Sequence, residues 1–271
     1  MQNMSNNWCG PGWHVEPRRG GVLPLPDSAN ARVFLDGSDT DGSGNSTRTN
    51  GVAFTDWLNK GTLAGTFGNA TAGFRPLFAS SLLNGRAGAT FDGTDDFLTS
   101  SLAASSFTFM HDGTGATVYT VMRTSNATQR VALATSTSTA TQIGYLLRLN
   151  TTFRPLALGA NGSGVLDWTA TGAANDFTTG AFNVMGTTFA VANTPDADLL
   201  VQNVSRATAN ATLPSTLAPS STLTLCGDPS GTQTWAGDVA AVLVYAGAHD
   251  ATTRAAVLAF LQSKYGVTFP A

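Results

Sequence analysis

The side chains able to do chemistry in this chain of 271 residues are few and unevenly placed. Asp36-Gly37-Ser38-Asp39-Thr40-Asp41-Gly42-Ser43-Gly44-Asn45 sets three aspartates among flexible glycines, a supply of oxygen ligands suited to a hard cation such as calcium. The spacing departs from the D-x-D-x-D-G calcium loop and lacks its closing glutamate, so a solvated loop explains the same residues. If an ion is bound, Asp39 and Asp41 are its ligands. Glycoside hydrolysis needs two facing carboxyl groups, one protonated and one ionised, yet Glu16 is the single glutamate. Asp95 and Asp96 are adjacent and would point to opposite faces of a strand, while Asp196 and Asp198 flank an alanine beside Pro195 in an expected turn. His14, His111 and His249 have no nucleophile motif beside them. Cys9 and Cys226 are too few for a disulfide framework and match no metal cluster; two buried thiols and one bridge are both open. The residues thus point to no catalytic site and no required cofactor, calcium being the one ion they could hold.

These side chains depend on the elements that carry them. Charged residues make up 11% of the chain, and lysine occurs only at Lys60 and Lys264. A formal charge of -3, with no basic cluster beyond Arg18-Arg19, leaves no electrostatic footprint for nucleic acid. No window approaches the ~18 apolar residues that span a bilayer, so no membrane insertion is expected. Trp8-Cys9-Gly10-Pro11-Gly12-Trp13 interrupts any apolar stretch near Met1 with turn formers, so a standard secretory signal is not expected either. Residues 1–28 read as an extended arm ahead of one domain over residues 29–271. Trp8 and Trp13 are costly to leave in water, so they pack on their own domain or dock on a partner.

From Ala31 onward, short apolar runs alternate with Gly, Asn, Asp, Ser and Thr clusters, the pattern of many strands in a closed or two-layered antiparallel sheet. Strands are expected over residues 32–35, 52–57, 87–91, 117–123, 144–149, 181–189, 199–204 and 223–226. Residues 238–245 are apolar at almost every position and read as a strand buried on both faces. The one expected helix covers residues 250–265, with Asp250 as N-cap and Gly266 placed for a left-handed C-terminal cap. Phe91-Asp92-Gly93-Thr94-Asp95-Asp96-Phe97-Leu98 reads as strand, tight turn, strand, a hairpin signal.

That octapeptide resembles the F-D-G-x-D-D-y-L signature of laminin-G-like jelly rolls in the concanavalin A-like lectin and glucanase superfamily. Further segments resemble the same pattern in order: Val33-Phe34-Leu35-Asp36 the opening strand, Asp56-Trp57-Leu58-Asn59-Lys60-Gly61 the segment after it, and Trp235-Ala236-Gly237-Asp238-Val239-Ala240-Ala241-Val242 a late strand. Lys264-Tyr265-Gly266 closes the helix in a similar manner. The likeness spans residues 31–268, with Ala241 standing where the family has glutamate. It implies an all-β, two-sheet antiparallel β-sandwich of concanavalin A-like jelly-roll type with one C-terminal helix.

The glucanases of that superfamily carry their carboxylates as E-x-D-x-E or a close variant, which this chain lacks, so the resemblance implies no enzyme. Carbohydrate binding on this fold uses exposed aromatic faces beside amide and carboxylate groups. Trp168, next to Asp167 and after the Asn161-Gly162-Ser163-Gly164 turn, is the loop-borne candidate, with core packing the competing fate of its indole. Together these features suggest a non-enzymatic structural protein of a phage virion: a decoration, spike or fibre-associated component at the virion surface. Its expected partners are other virion proteins or itself, as a trimer by particle symmetry, and host-surface glycans. The alternative is a secreted or cell-surface bacterial carbohydrate-binding module.

Overall fold

The computed structural model describes residues 23–137, 141–164, 166–212 and 214–268. Trp8, Cys9, Trp13, His14, Glu16 and Arg18-Arg19, and most of the expected arm with them, lie outside the described residues. In chain order the strands are β1 (Ala31–Asp36), β2 (Asp56–Leu58), β3 (Thr66–Gly68), β4 (Leu77–Leu83), β5 (Arg86–Asp92), β6 (Leu98–Ser100), β7 (Ala116–Arg123) and β8 (Arg130–Ala134). They continue as β9 (Ile143–Asn150), β10 (Arg154–Asn161), β11 (Leu166–Thr171), β12 (Asn183–Phe189), β13 (Ala197–Val201), β14 (Val204–Ala209), β15 (Thr224–Leu225) and β16 (Ala236–Ala246). Helix α1 (Ala251–Tyr265) follows.

The strands form two antiparallel sheets, so the protein is an all-β sandwich with one C-terminal helix. The first sheet runs β14-β13-β12-β7-β16-β5-β4, with β1 also beside β16; the second runs β11-β10-β9-β8-β15-β6-β3-β2. Between them lies a core that includes Trp57, Phe67, Phe91, Phe107, Phe177, Trp235 and Val242. β16 is the spine of the first sheet. β7 flanks its whole length on one side; on the other, β5 pairs with its first half and β1 with its second. A register shift between Val239 and Ala241 divides its side chains, with Val239, Val242 and Val244 in the inter-sheet core and Ala241, Leu243 and Tyr245 on the opposite face. Gly37 lets the chain leave β1 at this junction: a Cβ there would lie 2.3 Å from the carbonyl of Ala87 and 2.6 Å from that of Ala240.

Helix α1 covers the outer face at Leu243 and Tyr245. Asp250 Oδ1 accepts the N–H of Thr253 at 2.7 Å, and Gly266, at φ 66, donates to the carbonyl of Gln262 at 2.8 Å. Val257, Leu258, Phe260, Leu261 and Tyr265 are buried against Phe34, Tyr119, Val121, Leu243 and Tyr245. At about 1.5–3 kcal/mol for each large side chain removed from water, this contact makes the helix part of the folded unit. The boundary expected near residue 28 falls in a stretch already anchored to this layer, since Leu25 packs against it and Asp27 reaches His249.

The Phe91-to-Leu98 segment corrects one expectation. β5 belongs to the first sheet and β6 to the second, so the Asp92-Gly93 turn is a corner between layers and not a hairpin. Turn chemistry is the same in both cases. What makes the corner is that Phe91 and Leu98, 1% and 0% exposed, enter the core from opposite sheets.

Where β1 ends, Asp36 is 1% exposed and gathers four donors. Lys264 Nζ lies 2.6 Å and Lys60 Nζ 3.1 Å from its Oδ2; the Tyr265 hydroxyl donates to Oδ1 at 2.7 Å and the N–H of Ser38 at 3.0 Å. Burial pushes the Asp36 carboxyl up, and Lys264, Tyr265 and Lys60 more than offset it, holding the group below its ordinary value of 3.8. A depressed carboxylate contributes stability that is present above that value and lost as pH falls through the folded pKa. Asp36→Ala leaves Lys264 against a buried hole and is expected to cost about 3 kcal/mol, with Asp36→Asn costing less because it still accepts from Tyr265. Urea unfolding midpoints at pH 7 test this; an Asp36→Ala midpoint matching wild type would refute it.

Candidate functional site

The loop after β1 is organised around its own carboxylates. Asp41 Oδ1 accepts the N–H groups of Ser43 at 2.9 Å and Asn45 at 2.8 Å, and Oδ2 accepts the N–H and hydroxyl of Thr47 at 2.9 and 2.6 Å. Burial acts against its ionisation, but the Thr47 and Ser43 donors outweigh it and hold the carboxyl well below the usual range. Asp39 accepts the N–H of Gly44 and the Lys60 ammonium, both at 2.8 Å. Calcium at Asp39 and Asp41 is therefore a proposal that has to compete with these donors and displace Lys60.

Trp168 lies on β11, not on a loop, and pairs with Gly159 across the ladder. It is 2% exposed and its ring stacks on Phe189 at 5.2 Å. Gly159 admits the indole, because a Cβ there would lie 2.3 Å from Trp168 Nε1. Asp167 is also buried and accepts the N–H of Thr212 at 2.9 Å. The sugar platform expected at Trp168 and Asp167 is thus corrected to core: pairing on β11 turns the indole between the sheets, where no pyranose can reach it. Cys226 is likewise a buried thiol whose pKa burial raises. The other cysteine, Cys9, and the docking residues Trp8 and Trp13 lie outside the described residues.

The corner at residues 92–96 brings three carboxylates together. Oxygen atoms of Asp92, Asp95 and Asp96 all lie within 4.8 Å of one another. Asp92 Oδ1 accepts the N–H of Thr94 at 2.7 Å, and Asp96 Oδ2 accepts the N–H of Asp92 at 3.0 Å. Burial pushes Asp96 up to about 6; the Asp92 N–H opposes this, and the charges of Asp92 and Asp95 add to it. These oxygens could share a hard cation. Alternation along a strand had separated Asp95 from Asp96, but both lie in the turn, where that rule does not apply.

A concavity with several converging polar groups lies on the outer face of the first sheet, beside the N-terminus of α1. Register sets Thr188, Asp198 and Thr208 directly opposite one another on β12, β13 and β14. They line a hollow of about 470 Å³ together with Ser205, His249 and Arg254. A second hollow of about 550 Å³ adjoins it across His249 and Asp250 and reaches Asp27. Asp198 accepts the Ser205 hydroxyl at 2.6 Å and Arg254 NH1 at 3.1 Å, while Arg254 Nε is buried without a partner. His249 Nε2 lies 3.3 Å from Asp27 Oδ2 and its Nδ1 3.0 Å from the Tyr119 hydroxyl. Because a carboxylate only accepts, Nε2 carries the proton and Nδ1 accepts from Tyr119. Burial lowers the His249 pKa and outweighs the opposing hydrogen bond that the ring donates to Asp27, so the neutral ring of this tautomer is favoured.

This region can form hydrogen bonds, and its titratable groups already have partners within the fold. Among the described residues there is no glutamate; of the two carboxylates that line the hollow, Asp198 is bound to Ser205 and Arg254, and Asp250 accepts the N–H of Thr253 as the cap of α1. His249 meets a buried tyrosine and not an exposed nucleophile.

No family model and no curated protein sequence matches the chain. In fold it is similar to a Trypanosoma rangeli sialidase solved with 2,3-difluoro-KDN, at TM-score 0.53 and 14% identity over 91% of this chain and 34% of that one. The chain therefore spans about a third of that sialidase's length, and the likeness is one of fold. Lower similarity extends to the binding domain of botulinum neurotoxin DC in complex with SialylT (TM-score 0.49, 10% identity, 88% of this chain and 52% of that one). It also extends to the Ruminococcus gnavus IT-sialidase CBM40 bound to α2,3 sialyllactose (0.44, 11%, 55% and 83%).

The raised pKa of Asp96 has a measurable consequence. A carboxyl with a folded pKa near 6 favours folding while protonated, and that contribution is lost as pH rises from 3.8 through about 6. Asp96→Asn keeps an acceptor for the Asp92 N–H and removes the repulsion. It is expected to gain about 1 kcal/mol at pH 7.5, roughly 2–4 °C in Tm, with the gain vanishing at pH 4. Millimolar calcium should raise the Tm of wild type and not of this variant if the three carboxylates take an ion. Parallel melting curves across pH for the two proteins would contradict the assignment.

Proposed function

We propose that this chain is a non-enzymatic carbohydrate-binding module, a laminin-G-like sandwich whose glycan site is the hollow beside α1. The observation that carries the reading is Arg254, whose Nε is buried without a partner, on the wall of a hollow that presents hydroxyl, amide and carboxylate groups beside Pro195, Ala248 and Ala251. A buried donor left open costs free energy that an incoming acceptor recovers. Sugar hydroxyls both donate and accept, so they suit the row Thr188, Asp198, Thr208 and the nearby Ser205. Asp27, Asp198 and Asp250 outnumber Arg254 around the two hollows, which favours a neutral glycan over an acidic one. The sialidase that shares the fold was solved with an acidic sugar analogue bound, which supports carbohydrate as the ligand class and leaves the sugar to the chemistry of this hollow.

A module of this kind could serve a secreted protein or a virion fibre, so the virion role expected from the sequence is one setting of the proposal. Glycan binding is what the two settings share.

Binding to an array of neutral and acidic glycans tests the reading. Wild type is expected to retain neutral glycans, and Arg254→Gln to weaken them by roughly 10-fold or more, the cost of a hydrogen bond to a charged group. An array on which nothing binds would overturn the site; release of free sugar from a bound glycan would overturn the non-enzymatic part.

A further inference from the structure

We infer that the outer face of the second sheet carries a separate subsite for a carboxylate-bearing sugar, held by Arg148 and Arg154. This adds to the glycan-binding reading, but on the opposite sheet and with the opposite charge.

Strands β8, β9 and β10 contain no aspartate or glutamate. On β9, Leu147 and Leu149 enter the inter-sheet core, so Arg148 lies on the outer face, half-buried beside a buried apolar cluster of Val131, Leu146, Leu156 and Leu158, while Arg154 at the end of β10 is exposed. Arg148 sits opposite Val131 on β8 and Leu156 on β10, and Asn150 sits opposite Arg154. Arg148 and Arg154 are therefore diagonal neighbours on one face, about 7–8 Å apart at the backbone.

Like Arg75, Arg86 and Arg130, which donate to backbone carbonyls, Arg148 and Arg154 face no carboxylate among the described residues. Arg48, Arg123, Arg206 and Arg254 each face an aspartate. Arg130 instead donates to the backbone carbonyls of Gly93 and Thr234. Arg148 meets only amide oxygens: Gln233 Oε1 at 3.5 Å and the oxygen of Gln129 once its amide is correctly oriented. Burial lowers its pKa with no anion to offset the cost. The Arg154 side chain is exposed and makes no hydrogen bond or ion pair among the described residues.

A half-buried guanidinium facing neutral amides is undercompensated, and its planar fork matches a carboxylate through two parallel bonds. Gln129, Gln233 and Asn150 surround it with donors and acceptors that a sugar ring's hydroxyls can use. An acidic peptide fits less well. β9 is paired on both sides, so an extended chain finds no free strand edge to join.

The test uses the full chain and four polymers: polygalacturonate and polysialic acid as carboxylated glycans, dextran as neutral glycan, and polyglutamate as acidic peptide. Calorimetry and melting temperature are the readouts. Wild type is expected to bind at least one carboxylated glycan and to be stabilised by it, with polyglutamate at least 10-fold weaker and any dextran binding unchanged by Arg148→Gln. Arg148→Gln should lose 10-fold or more in affinity and Arg154→Gln about 3-fold. Without ligand, Arg148→Gln should melt at or above wild type, because an undercompensated charge has been removed; this separates lost binding from lost folding. The inference is overturned if neither carboxylated glycan binds, if polyglutamate binds as well, if Arg148→Gln binds like wild type, or if it melts well below it. Carboxylated polymers and Arg148 report on this face, while neutral glycans and Arg254 report on the hollow, so either reading can fail alone.

Discussion

The buried carboxylate of Asp36 is the point at which four separate pieces of the chain are fastened together. It ends β1, caps the turn that begins at Gly37, receives Lys60 from the segment after β2, and receives Lys264 and Tyr265 from the last turn of α1. A buried charge is an expensive centre for a fold, because desolvation opposes every attraction it makes. Here the expense is met by two cations and two neutral donors. Nearby, Asn59 holds the same junction from the other side, accepting from the N–H groups of Phe34 and Gly61 and donating to the carbonyls of Arg32 and Ala64. Both lysines of the chain converge on this one aspartate. The helix is therefore placed twice, by apolar packing along its length and by charge at its C-terminal end.

The placement of that helix decides where a site can exist. α1 covers Leu243 and Tyr245 but stops short of β13 and β14, so the same outer face is dry on one side and hollow on the other. The helix N-terminus borders the hollow with His249 and Asp250, and its first turn contributes Arg254. Fixing the C-terminal end at Asp36 therefore fixes the wall of the hollow at the other end. Architecture and candidate site depend on one rigid element.

Much of this architecture was legible in the sequence where a residue's local role is also its role in the fold. Asp250 and Gly266 cap the helix as their types dictate, and the almost wholly apolar run of residues 238–245 reads as a strand covered on both faces, as β16 is. Legibility failed where local signals are degenerate. Phe91 to Leu98 shows the same turn residues in a corner as in a hairpin, and only the partners of β5 and β6 distinguish the two. Residues 199–204 read as one strand, yet Gln202 and Asn203, at φ 51 and 63, turn the chain between β13 and β14. Trp168 looked loop-borne because β11 is short and polar at alternate positions, and its absent neighbour at Gly159 became informative only in register. The hollow was the least legible part. Thr188, Asp198 and Thr208 are ordinary residues in a threonine-rich chain, and only strand pairing aligns them.

Charge placement carries the functional argument further than motif content does. With 11% charged residues, most charges in this chain can be traced to a structural duty: Asp36 to the helix, Asp41 to its loop, Asp238 to Arg123, Asp250 to the helix cap. In such a chain a charge with no duty is more informative than it would be on a densely charged surface, where unpaired ions are common and cost little. Arg148 is the clearest instance, because burial makes its lack of an anion costly, whereas exposed Arg154 alone would mean nothing. The hollow beside α1 gathers mostly carboxylates, and the opposite sheet presents cations with no carboxylate on three neighbouring strands. A scaffold stabilised by generic packing has no need for that separation. The two proposed glycan sites, which differ in charge, would account for it.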